Sequence, residues 1–179
     1  MEWFAILWKW ELYKGPFWNY SLTNLWIYNA FVTIRHLFLL FFFKGILIAP
    51  YQKKVIVWTV APFVTLGLIN YIWGQTPFNI NTYTIVSANT ITIFFCLVFF
   101  NQVLKDKKLI ALGTSTEVWL VLGLFFYHSG TLPFFIFLDY LTKLRSTIVF
   151  SFLYINDALN LVMYSSFIIA YLCKPQFQK

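Results

Sequence analysis

The sequence predicts an all-α polytopic transmembrane bundle of about five spans joined by short loops. Three observations carry that reading. Hydrophobic residues make up 60% of the 179-residue chain, and mean hydropathy is +0.72. Charged residues make up only 11%, against roughly 25% in an average soluble domain, too few to coat such a core in water. The apolar residues also fall into five runs, each near the ~20 residues that a helix needs to cross about 30 Å of hydrocarbon.

The first 21 residues stand apart. They mix Trp3, Trp8, Trp10 and Trp18 with Glu2, Lys9, Glu11 and Lys14, a pattern that fits an interfacial helix or the remnant of an upstream helix. No basic stretch precedes a clean apolar run, so the segment does not read as a signal peptide. The transmembrane bundle is expected over 22–173, with spans at about 22–43, 55–73, 82–104, 116–138 and 147–173, and a cytoplasmic tail at 174–179. Pro50 with Lys53 and Lys54 separates the first two runs, and Pro77 among turn formers ends the second. Thr114, Ser115, Thr116 and Glu117 fit a capping box at the start of the fourth, with Thr114 accepting from the first turn and Glu117 reaching back. Pro175 closes the fifth. Pro62 reads as lying near a helix start, and Pro133, after Ser129, Gly130 and Thr131, as kinking the fourth span.

Charge sets the expected orientation. Lys44, Lys53, Lys54, Lys105, Lys107, Lys108, Lys174 and Lys179 fall on one side, and Lys9, Lys14, Lys143 and Arg145 on the other. The lysine-rich side, with the C-terminus, is expected in the cytoplasm and the N-terminus outside. The same rule accounts for the net charge of +7 without nucleic acid, since no RNA-binding signature is present. The aromatic share of 23% fits lipid-facing Phe and headgroup-level Trp and Tyr. Cys96 and Cys173 stand alone, without CxxC or metal spacing, so packing is their expected role.

Enzyme signatures of the GxSxG, HExxH, Walker A and GxGxxG kinds are missing from the sequence. The chain reads as non-enzymatic, with no cofactor and no metal. Heme held between His36 and His128 is conceivable only if their two spans face each other at matching depth.

Function is sought instead in polar residues midway along the spans. Arg35 and His36, His128, and Asp157 all fall near the bilayer centre, where an ionisable side chain costs about 2.5–3.5 kcal/mol or more. The candidate intramembrane cluster is Arg35, His36, Asn89, His128, Asn156, Asp157 and Asn160, with Arg35 expected to pair with Asp157. Two roles stay open. Such groups act as interhelical glue at about 0.6 kcal/mol per hydrogen bond, or they line a functional polar cavity.

The segments Asn24–Asn29, Asn81–Tyr83, Glu117–Gly123 with Tyr127, Tyr154–Asn160 and Ile169–Cys173 resemble small multi-pass membrane proteins of Bacteroidota. Similar membrane regions occur beside or fused to sensor histidine kinases. The resemblance runs from about Leu22 to Cys173, implies further N-terminal spans that this chain lacks, and implies a signalling context without catalytic residues to carry over. The expected function is a sensor or signal-relay subunit in a bacterial inner membrane. It would act through another membrane or cytoplasmic protein, because no sizeable soluble domain is in view. A small transporter or channel and a structural subunit of a larger membrane complex are the alternatives.

Overall fold

A computed structural model describes residues 25–74, 80–105, 115–143 and 148–173. The expectations for residues 1–21 and 174–179, and the Thr114 half of the capping box, lie outside them. The described residues form five helices: α1 (Leu25–Ile46), α2 (Pro50–Ile69), α3 (Thr82–Lys105), α4 (Thr116–Lys143) and α5 (Ile148–Leu172). A single π turn, Asn70–Gly74, extends α2. All five helices are long and apolar enough to cross a bilayer. The protein is a helical membrane bundle.

The helix bounds follow local chemistry. α2 begins at Pro50, because proline at the first helical position gives up an amide that has no intrahelical partner. The polar first turns of α2 therefore join the helix. Pro62 lies twelve residues in, mid-helix, not near the start. Glu117 accepts from the Ser115 hydroxyl at 3.0 Å at the start of α4. α4 runs on through Pro133 to Lys143.

Serine and threonine are tolerated at depth because their hydroxyls donate to carbonyls of their own helix, one turn back. Thr59, Thr90, Thr92 and Ser166 do so at 2.7–3.0 Å. Side chains also tie the helix ends together. Gln102 accepts from the Ile48 amide at 2.9 Å and donates to the Ile46 carbonyl at 3.5 Å. Thr116 donates to the Cys173 carbonyl at 3.1 Å. At the opposite end Asn29 accepts from the Asn81 amide at 3.1 Å, and Asn70 donates to Thr84 at 3.1 Å.

α3 is central: 44% of its membrane window is buried, against 18% for α2 and 17% for α5. Phe95, Cys96, Phe99 and Val103 of α3 pack with Leu40 and Phe43 of α1, Leu47 just beyond it, Ile56 of α2, and Val121 and Leu124 of α4. This apolar core fills the half of the bundle nearest the lysine-bearing ends of α1 and α3. α5 packs chiefly on α4. Their approach is set by glycine: a Cβ on Gly123 would meet Ser166 Cβ at 2.9 Å and the Met163 carbonyl at 3.2 Å, and one on Gly130 would meet Leu159. Small residues at a helix contact let backbones come close where lipid offers no hydrophobic drive.

Gly123→Ala is therefore expected to cost about 1–3 kcal/mol, because neither the Ser166 Cβ, which its backbone fixes, nor the Met163 carbonyl can swing aside. Gly45→Ala meets nothing within 4 Å and should be neutral or raise stability by up to about 1 kcal/mol through helix propensity. Thermal unfolding of the two variants in one detergent compares them; equal melting temperatures would refute the close-contact account.

Candidate functional site

Toward the other half of the bundle, α1, α3 and α4 bring polar residues together. His36 and His128 are each 1% exposed. Their rings meet edge to face, centroids 5.6 Å apart and 72° between planes. Phe63 of α2 closes the other side of His36 at 5.8 Å. His128 Nδ1 lies 2.8 Å from Asn89 Oδ1. With that amide oxygen accepting, Nδ1 carries the proton. The Asn89 amide nitrogen donates to Thr131 at 3.4 Å, and the Thr131 hydroxyl donates in turn to the Tyr127 carbonyl at 2.9 Å. Both ends of the Asn89 amide are thus engaged across α3 and α4.

His36 Nδ1 lies 3.2 Å from the Val32 carbonyl. A carbonyl only accepts, so Nδ1 donates and Nε2 is left as the acceptor. That Nε2 atom is buried without a hydrogen-bond partner, and so is Arg35 Nε. Arg35 is half-buried, with its guanidinium carbon 6.0 Å from the centroid of Tyr127, at the outer reach of a cation–π contact. Tyr127 packs edge-on against His128 at 5.2 Å. An aromatic chain therefore runs from Arg35 through Tyr127 and His128 to His36.

No protein-family model, curated protein or solved structure matches the chain.

Arg35, His36, Asn89 and His128 come together as the depth argument expects, with Thr131 and Tyr127 added. Asn156, Asp157 and Asn160 do not join them. α5 turns Leu159, Ser166 and Ala170 toward α4, and Asp157 lies on the opposite face, exposed. Asn156 and Asn160 are half-buried. Among the described residues Asp157 makes no ion pair, so the expected pairing with Arg35 within one chain is not formed. Depth along a span sets the height of a side chain, whereas its bearing depends on which face packs.

The heme alternative fails on geometry, since edge contact between the two imidazoles leaves no room for a porphyrin between them. Among the described residues no group of three His, Cys, Asp or Glu side chains could hold a metal ion. Cys96 is buried, with its thiol 3.8 Å from the Val121 carbonyl, and serves packing. One feature carried no sequence signal. An open hollow of about 410 Å³ lies between the end of α2 and the start of α3, lined by Asn70, Trp73, Tyr83 and Ser87 among others. It borders the π turn and does not include the histidines.

Asn89→Leu would leave the His128 Nδ1 proton without an acceptor, a loss of about 1–3 kcal/mol. Thr131→Val, which removes only the weaker 3.4 Å contact with Asn89 and a hydroxyl bonded to its own helix, should cost less. Melting temperatures in detergent decide the order; a harmless Asn89→Leu would show that the Asn89–His128 bond does not hold the helices.

Proposed function

We propose that the chain is a non-enzymatic signal-relay subunit of a membrane assembly, working through a partner. The observation that carries this reading is Asp157: an ionisable side chain exposed on a membrane helix, nine residues from the start of α5, where contact with lipid is costly unless something covers it. Lipid tails cannot satisfy it; a neighbouring protein surface can.

The relay part of the proposal rests on the packed polar centre. Arg35, His36, Asn89 and His128 connect α1, α3 and α4 at one depth. Asn89 holds two helices through one amide, so an event that breaks its bonds changes how they sit. The histidines are sealed among Phe63, Tyr127 and each other instead of lining a passage, which supports a switch over a transport path. The lysines Lys44, Lys53, Lys54 and Lys105 lie at one end of the bundle, which supports a cytoplasmic placement of that end in a bacterial inner membrane. The output partner would dock there.

Extraction in a mild detergent, followed by native mass measurement and identification of everything that co-purifies, tests the proposal. The expected result is a protein mass above the 21.2 kDa of one chain. A single chain recovered alone, both in mild detergent and in lipid nanodiscs, would overturn the subunit reading.

A further inference from the structure

Besides the buried histidines His36 and His128, two ionisable residues lie well inside the described helices, Arg35 on α1 and Asp157 on α5, and they are opposite in charge. Their heights agree. α1 and α5 enter from the same side of the bundle, Arg35 is ten residues from the start of α1, and Asp157 is nine residues from the start of α5. At about 1.5 Å per residue the difference is small. Yet α4 stands between the two helices, and among the described residues neither side chain is ion-paired.

Each residue borders an exposed apolar ridge. On α5, Leu161 and Ile168 continue the face of Asp157 and are 69% and 64% exposed. On α1, Phe38 and Phe41 are 71% and 66% exposed, and half-buried Arg35 flanks them. The α5 ridge lies directly opposite the Leu159, Ser166 and Ala170 side that packs on α4.

We propose that these two ridges are one self-association surface, with α5 of each copy packed on α1 of a second copy and each Asp157 paired with the other copy's Arg35. The inference rests on the subunit reading and names the partner as this same chain. Charge complementarity selects it. A different membrane protein would have to bring both a cation for Asp157 and an anion for Arg35, at matching depth. A second copy related by a twofold axis along the membrane normal brings both, and the self-complementary contact satisfies all four groups at once. The α1 and α5 directions are the same, so the twofold axis also places Phe38 of one copy at the height of Leu161 of the other.

The test uses two differently tagged full-length copies expressed in one membrane. The wild-type copies are expected to co-purify. Arg35→Asp alone brings two carboxylates together, and Asp157→Arg alone brings two guanidiniums together; each variant should lose self-capture at least tenfold. Mixed with each other, these two single variants restore both opposite-charge contacts and should co-purify again. Pairing within one chain could not be restored by mixing, so failure of the mixture while the double variant recovers would overturn the inference. If either variant fails to accumulate, Phe38→Cys combined with Leu161→Cys in a Cys173→Ser background provides a second reading. Oxidation of those membranes should give a disulfide-linked dimer, and Trp58→Cys on α2 should not. No cross-link would overturn the proposed face. Tagged copies that never co-purify while an unrelated membrane protein does would overturn self-association and leave the subunit reading standing. A monomer in both detergent and nanodiscs would overturn both.

Discussion

In hydrocarbon a polar group has no water to fall back on, and every feature of this bundle answers to that condition. The backbone answers it by remaining helical within each span, so that amides and carbonyls are satisfied inside the segment. Hydroxyls answer it by bonding to carbonyls of their own helix, as Thr59, Thr92 and Ser166 do. Ends answer it with side chains from the next helix. Gln102 meets the amide and carbonyl of the turn after α1, and Asn29 meets the amide that opens α3. Residues that cannot be satisfied locally define the places where helices must meet.

The number, order and approximate limits of the spans were legible because they depend on one-dimensional quantities: run length, proline and lysine position. The limits shifted where capping chemistry extends a helix beyond its apolar run. α2 starts at Pro50 instead of near Val55 because proline and polar residues make a good first turn whether or not they sit in lipid. α4 reaches Lys143 because its polar end can pass into the headgroup region without breaking the helix. Pro62 was misplaced for the same reason, since the start of its helix was set too late.

The polar centre was half legible. Depth alone found Arg35, His36, Asn89 and His128, because expensive residues at one height have few places to go. It could not say that Asn89 would bond to His128, or that Tyr127 and Thr131 would complete the group. Those contacts depend on rotation about each helix axis. Rotation is set by shape: Gly123 and Gly130 open a channel along α4 into which Ser166, Met163 and Leu159 settle. Once α5 lies in that channel, its opposite face is fixed, and Asp157 goes with it.

That fixed rotation gives Asp157 its meaning. To turn the carboxyl inward, α5 would have to roll about half a turn, which would lift Ser166 and Leu159 out of the glycine channel and drive larger residues such as Tyr164 against it. The close α4–α5 contact and an inward Asp157 are therefore mutually exclusive in this sequence. Arg35 is constrained in a similar way, because rotating it inward would remove His36 from its place against His128 and Phe63. Both charged residues are held at the edge of the bundle by the packing of their neighbours. Among the described residues, the internal fit of the bundle keeps this cation and this anion apart.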